Sequence, residues 1–221
     1  MTATDAQAVR HPADWDLFAD VNASSSIVGR LFMEALFRGY RELLRSASFS
    51  GPLTILELGS GTGYVTNRIA ETVPTRRVTL VDANRKMLVL ARKTLESLTC
   101  EVSFVHQDFF RLRLEEEFDL VHSAGVVEHF DSRLRSKLLA AHARLVRPGG
   151  YCIVYAPTPT PYYRFWRGLV ERLTLWPFTD EVPLASEQLV REVEATGLRV
   201  TAVNRVWDYF LTESGLLAQK V

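Results

Sequence analysis

The chain has 221 residues, 47% hydrophobic and 24% charged, with Lys+Arg and Asp+Glu both at 26 for a formal charge of zero. That length buries one sizeable core, and the composition is that of an ordinary globular protein. A balanced charge disfavours a nucleic-acid partner, no uncharged apolar run approaches the ~18–20 residues of a membrane span, and residues 1–14 do not read as a secretory leader.

In chain order, residues 1–50 read as N-terminal cap helices. The apolar positions Val28, Leu31, Phe32, Ala35, Leu36, Leu43 and Leu44 recur at helical spacing. Ser24 to Ser26 are the candidate cap of that helix, and the serine-rich stretch 46–52 ends it. The rhythm then changes to a strand at 53–58, a helix at 64–72, a strand at 77–81, a helix at 85–97 and a strand at 101–106. A fourth strand at 118–123, a helix at 132–146, a turn at Arg147-Pro148-Gly149-Gly150 and a fifth strand at 151–156 follow. Apolar strands alternating with helices imply βαβ units and an α/β three-layer sandwich whose parallel sheet is covered on both faces. Cys100 and Cys152 lack metal-ligand spacing and read as reduced thiols of a cytoplasmic protein.

The alternation breaks at Pro157. Residues 157–184 place Tyr162, Tyr163, Phe165, Trp166, Trp176 and Phe178 among prolines, a lid insertion rather than a second domain. A helix at 187–195 ends at Gly197, and strands at 198–203 and 215–220, with no helix between them, form an antiparallel pair at the sheet edge. The whole of 1–221 is therefore read as one domain.

The richest stretch is Glu57-Leu58-Gly59-Ser60-Gly61-Thr62-Gly63, between the first strand and the first sheet helix. Gly59 and Gly61 allow the backbone to turn tightly and approach a ligand, and the helix after Gly63 offers unpaired N–H groups. A nicotinamide site wants G-x-G-x-x-G, yet Tyr64 occupies the third glycine position. Asp82-Ala83 ends the second strand and Gln107-Asp108 the third. Ligands of open parallel sheets sit at those strand ends, so the three loops specify an adenosine-containing ligand. Asp82 suits the ribose hydroxyls, or caps the helix that follows. Asp108 suits the adenine amino group, or is a turn acid. Met87 and Phe109 suit the walls around the base, or are ordinary core.

Together with Phe118-Asp119-Leu120-Val121, Val127-Glu128-His129 and Leu145–Gly150, these motifs resemble the class I S-adenosylmethionine-dependent methyltransferases. Among these they resemble the group that includes the ubiquinone and menaquinone biosynthesis enzymes. The resemblance covers about residues 53–156 strongly and the rest in outline. It implies a seven-stranded sheet of order 3-2-1-4-5-7-6 with strand 7 antiparallel, and S-adenosyl-L-methionine as cofactor. It also implies that Glu57 through Gly63 hold the amino-acid part of the cofactor, Asp82 the ribose and Asp108 the adenine. Leu145–Gly150 and Asp119 are read as structural.

At the reacting end, His122, Ser123, Glu128 and His129 cluster after the fourth strand. His129 leads as general base, since an imidazole titrates near ~6.5, with Glu128 beside it. His122 reads as packing and Ser123 as a cofactor contact. Some quinone-pathway relatives hold a metal through Glu-x-x-Glu-His; here Gly125 stands in place of the first carboxylate, so no metal is expected. Tyr162, Tyr163, Arg164 and Trp166 are the substrate-binding candidates, and Trp15 and Phe18 are candidates to close over the cofactor. The expected activity is methylation of O, N or C on a small aromatic, quinone-like or natural-product acceptor. The alternatives are an RNA or protein methyltransferase and a non-catalytic cofactor-binding subunit. Neutral charge and the lack of an Asn-Pro-Pro-Tyr or Asp-Pro-Pro-Tyr motif after the fourth strand argue against RNA. Oligomeric state is not legible.

Overall fold

A computed structural model describes residues 15–16, 27–173, 178, 180–207 and 212–221. Its strands are β1 (Leu53–Leu58), β2 (Thr75–Asp82), β3 (Glu101–His106), β4 (Phe118–Ala124), β5 (Val146–Pro157), β6 (Arg199–Trp207) and β7 (Thr212–Gln219). They form one sheet of order β3-β2-β1-β4-β5-β7-β6, parallel except for β7, which runs antiparallel to both β5 and β6. The described helices are α1 (Ile27–Arg45), α2 (Tyr64–Thr72), α3 (Arg85–Thr94), α4 (Ser132–Leu145), α5 (Pro161–Arg172) and α6 (Ser186–Glu194).

Every residue of β1 is buried. Its period of two sends Leu56 and Leu58 into a core with α4 and α6, and Leu53 and Ile55 into a second core with α1, α2 and α3. Two apolar faces, each roofed by helices, make the three layers. The chain moves outward from β1 to β2 and β3, then crosses back to β4 on the other side of β1. That reversal makes the carboxyl ends of β1 and β4 the topological switch point, where open α/β sheets take ligands.

The expected order and the antiparallel strand are observed. The helix starting at Arg85 stops at Thr94, short of the expected 97. The expected turn Arg147–Gly150 is instead the bulged entry to β5: Val146 pairs with Phe118, the register then slips, and pairing resumes with Tyr151 opposite Leu120. Gly149 takes φ 75°, and Gly149 N–H donates to Lys220 O at 2.8 Å, so the bulge is tied to the end of β7. Asp119 has the structural role expected: it accepts from Thr54 N and Oγ1, both at 2.7 Å, and from Arg147 Nε at 2.5 Å. The final strands are longer than their apolar runs, because β7 lies between two paired neighbours and buries Thr212, Glu213 and Ser214 there. Ser24 to Ser26, Phe18 and Trp176 lie outside the described residues.

Candidate functional site

The loop after β1 is drawn tight by Gly59 N–H and Ser60 N–H, which donate to Val81 O at 2.9 and 3.1 Å. Gly61 and Gly63 are left-handed, with φ of 50° and 69°. Their surroundings differ. A Cβ on Gly63 would meet Leu95 Cδ1 at 2.6 Å and Leu80 Cδ2 at 2.8 Å, whereas one on Gly61 would meet nothing within 4 Å. Gly63 is thus set by packing and Gly61 borders open space. Thr62 lies between them, half-buried. Ser60 Oγ is buried with no partner among the described residues, an orphaned hydroxyl at the cradle.

The three loops are joined to one another. Asp82 Oδ2 accepts from Gly61 N–H at 2.8 Å, Asp82 Oδ1 from Asn84 N–H at 2.8 Å, and Asp82 O from Gln107 N–H at 3.1 Å. Burial pushes the Asp82 carboxyl above its ordinary value, and the hydrogen bonds from Asn84 and Gly61 oppose that rise. Asp82 is not the cap of α3: Asn84 is, accepting from Lys86 and Met87 N–H. The exposed Asp108 accepts from Phe110 N–H at 2.9 Å through Oδ1. Ala83 O receives an imidazole N–H from His106 at 3.0 Å, fixing the loop beside Asp82. Met87 is buried at the start of α3. Phe109 packs edge-on against Phe110 and Phe130 with centroids 5.0 and 5.6 Å away.

Two expected cofactor residues face inward. Glu57 shares the parity of Leu53 and Ile55, so its carboxyl enters the core beneath α1 and α2. There Thr66 Oγ1 donates to Glu57 Oε2 at 2.6 Å and lies 2.9 Å from His122 Nε2, while Tyr40 OH lies 3.3 Å from His122 Nδ1. Burial raises the Glu57 carboxyl to about 8 and holds the His122 imidazole down to about 3. Their 3.8 Å approach therefore joins neutral groups at pH 7 rather than an ion pair. Ser123 is fully buried, its hydroxyl 2.9 Å from His142 Nε2 on α4. Since His142 Nδ1 lies 2.8 Å from Leu138 O and must donate there, Nε2 accepts from Ser123 Oγ. The sequence reading put Ser123 at the cofactor; the structure turns it toward α4.

The expected reacting end follows β4. Gly59 carries no Cβ where Val126 Cγ2 approaches, at 2.6 Å from that position, so the turn Val127–His129 sits against the glycine loop. His129 Nδ1 lies 3.1 Å from Asp180 Oδ1. Burial holds the His129 imidazole below its ordinary value although Asp180 favours the charged form. A neutral ring that donates from Nδ1 to a carboxylate presents Nε2 as an acceptor. Glu128 is only 1% exposed, and its Oε2 has no partner among the described residues. Burial and the charges of Glu213, Glu181 and Asp180 keep its carboxyl well above the ordinary range.

The 157–184 segment departs from expectation. Tyr163 is 1% exposed, and its hydroxyl bonds Glu181 and receives Arg167 Nη1–H at 2.8 Å, so it anchors α5 from beneath. Tyr162 and Arg164 lie on the exposed side, Tyr162 against Trp166 and Trp207. Helical phase is the reason: Tyr163 and Arg167, four residues apart, share the buried side. Trp15 does reach the site. Its ring packs 5.0 Å from His129 and 5.6 Å from Phe178, while the adjacent Asp16 accepts from Asn84 Nδ2 at 2.6 Å. Residues 15–16 thus bridge from the Asp82 loop to the His129 loop. Asp180, Glu181 and Glu213 escaped the sequence reading; the one available signal was the run Asp180-Glu181 inside an aromatic insertion.

A sequence profile of the family described as "Methyltransferase domain" matches residues 55–150. The chain is 30% identical over 159 residues to the demethylmenaquinone methyltransferase of Thermus thermophilus, covering 71% of this chain and 70% of that one. It is 29% identical over 125 residues to the malonyl-[acyl-carrier protein] O-methyltransferase of Priestia megaterium, covering 55% of this chain. The chain spans 40%, 28% and 29% of the lengths of three such malonyl-[acyl-carrier protein] enzymes. Its fold matches the magnesium protoporphyrin IX methyltransferase of Synechocystis PCC 6803 with bound S-adenosylhomocysteine, at TM-score 0.73 and 14% identity over 95% of this chain and 96% of that one. No helix among the described residues is long and apolar enough to cross a membrane. With sheet order, glycine cradle and profile in agreement, the chain belongs to the class I, Rossmann-like S-adenosylmethionine-dependent methyltransferases.

Proposed function

We propose that this protein methylates an O, N or C atom of a small-molecule acceptor held between the carboxyl rim of the sheet and the 157–184 segment. The observation that carries the reading is the His129–Asp180 pair, 3.1 Å apart, with His129 on a turn packed against the glycine cradle. The cradle itself fits the cofactor: Gly61 borders open space, Ser60 Oγ lacks a partner among the described residues, and Asp82 accepts from Gly61 N–H. Gly59 to Gly63 would hold the amino-acid part, Asp82 with Ala83 the ribose, and Gln107, Asp108, Met87 and Phe109 the base. Bound there, S-adenosylmethionine supplies the electrophilic methyl group.

The chain's own task is alignment and proton removal. Holding acceptor and methyl carbon in line accounts for roughly 7–11 kcal/mol of barrier in well-oriented systems. His129 Nε2 accepts the acceptor's proton, while Asp180 fixes the tautomer and stabilises the imidazolium. Positioned bases of this kind contribute about 10²–10⁴-fold. Trp15 covers the cleft and keeps water from the reacting atoms.

The test is incubation of the protein with methyl-labelled cofactor and a metabolite extract, with products read by mass spectrometry. Label transfer is expected, and Asp180→Asn should slow it by about 10²-fold or more while S-adenosylhomocysteine affinity stays unchanged. Equal turnover in Asp180→Asn would remove the dyad from the mechanism.

A further inference from the structure

Four acidic side chains gather at the acceptor end from three separate segments. Glu128 stands on the turn after β4, Asp180 and Glu181 on the lid, and Glu213 at the start of β7, beside Pro157 of β5. Glu181 and Asp180 are hydrogen-bonded to neighbouring side chains. Glu181 bonds Tyr163 OH and accepts Arg167 Nη1–H at 3.0 Å, and Asp180 takes the His129 ring N–H. Glu128 is different. The 157–184 segment grips its backbone, Val182 N–H donating to Glu128 O at 2.9 Å, but its carboxyl Oε2 is buried with no partner among the described residues. An orphaned buried oxygen is a cost to the free protein that a ligand donor relieves. The charges of Glu213, Glu181 and Asp180 raise its carboxyl, while the nearby Arg167 guanidinium is engaged by Glu181. Such surroundings repel an anion and attract a cation.

We infer that Glu128 is the anchor for a basic nitrogen and that the acceptor is an amine, methylated on that nitrogen. The inference rests on the function proposed above and narrows its acceptor class. An arriving ammonium displaces the Glu128 proton to solvent and lies against the carboxylate. It then gives its own proton to His129 Nε2. The freed nitrogen lone pair attacks the methyl carbon as the carbon–sulfur bond breaks with its electrons going to sulfur. The products are S-adenosylhomocysteine and an N-methylammonium, and His129 returns its proton to solvent. Positive charge on nitrogen is present before and after transfer, so the acidic surroundings favour both ends of the step. The same surroundings disfavour a carboxylate acceptor.

The raised Glu128 carboxyl supports this geometry, because a group neutral in the free protein must release a proton when it pairs with a cation.

The test is calorimetry on the full chain saturated with S-adenosylhomocysteine, using choline, its uncharged isostere neohexanol, and tert-butylacetic acid at neutral pH. Choline should bind at least about tenfold tighter than neohexanol, as expected for a close buried charge pair. The acid should bind weakest. Repeats in buffers of different ionisation enthalpy should show a proton released on choline binding by the native chain. Glu128→Gln should lose both the preference and the proton release while keeping its affinity for S-adenosylhomocysteine, which also certifies its fold; Glu213→Gln should weaken the preference. In turnover, label should pass to the nitrogen of dimethylaminoethanol. Comparable binding of the three probes, binding of none, an unchanged Glu128→Gln, or label on the oxygen of p-cresol with the amine untouched would overturn the inference. Failure of S-adenosylhomocysteine itself to bind would instead defeat the cofactor reading beneath it.

Discussion

Gly61 and Gly63 share a motif and a backbone conformation, yet the structure assigns them opposite sensitivities. Replacing either by Ala places a Cβ on left-handed backbone, which costs about 1–2 kcal/mol, offset by about 0.4–1 kcal/mol because Ala restricts the unfolded chain. Only at Gly63 does the new atom collide, 2.6 Å from Leu95 Cδ1 and 2.8 Å from Leu80 Cδ2. Overpacking of that kind adds about 1–3 kcal/mol. At this chain length 1 kcal/mol corresponds to about 2–4 °C, so Gly63→Ala should melt roughly 2–12 °C below Gly61→Ala. Binding should reverse the ranking. The Gly61 methyl enters space left for the ligand and should weaken S-adenosylhomocysteine by about 10–200-fold, the range for one methylene in a shaped pocket. Scanning calorimetry gives the first comparison and titration calorimetry the second. Equal melting temperatures, or a Gly61→Ala that binds normally, would refute the division between packing glycine and ligand-facing glycine.

Asp82→Ala should weaken S-adenosylhomocysteine by about 1.5–3 kcal/mol if its oxygens accept the ribose hydroxyls; unchanged affinity in titration calorimetry would end that role. For Glu57, burial lifts the carboxyl from its ordinary 4.5 to about 8 in the folded chain, so the folded state binds the extra proton across that window. Its contribution is fully present below about pH 4.5 and is lost as pH rises toward 8. Glu57→Gln, which stays neutral, should therefore gain melting temperature relative to the native chain at pH 8.5 and not at pH 4.5; a constant difference would contradict the buried, neutral assignment. The bridge formed by Trp15 and Asp16 predicts that S-adenosylhomocysteine slows proteolysis N-terminal to residue 27 and that Trp15→Ala abolishes the protection. Equal digestion rates with and without ligand would exclude closure by this segment.

Much of the candidate site's placement was legible because it is local. Gly59–Gly63, Asp82 and Gln107-Asp108 each end a strand, and parallel strands must bring those ends to one rim. The buried behaviour of His122 was legible for the same reason, since it lies inside an apolar strand. Ser123 was misread because period two says that a residue faces one side of the sheet, not which helix covers that side. Tyr163 was misread because an aromatic-rich insertion shows no helical phase until its helix is docked. Glu128 was named as a candidate, but its burial among Asp180, Glu181 and Glu213 joins positions as many as 85 residues apart (128 to 213).

From its sequence alone this chain is determined as a doubly wound sheet with a nucleoside cradle: strand and helix periods are properties of neighbouring residues, and glycines with acids at strand ends keep their meaning wherever the strands lie. The tertiary structure alone decided which groups meet at the proposed acceptor end. Asp180 beside His129, the Glu128 oxygen with no partner among the described residues, the bridge at Trp15 and the inward turn of Glu57 all depend on distant segments meeting. The free energy of a buried charge depends on which groups share its dry surroundings, and that company is assembled only when the lid, β4 and β7 pack together.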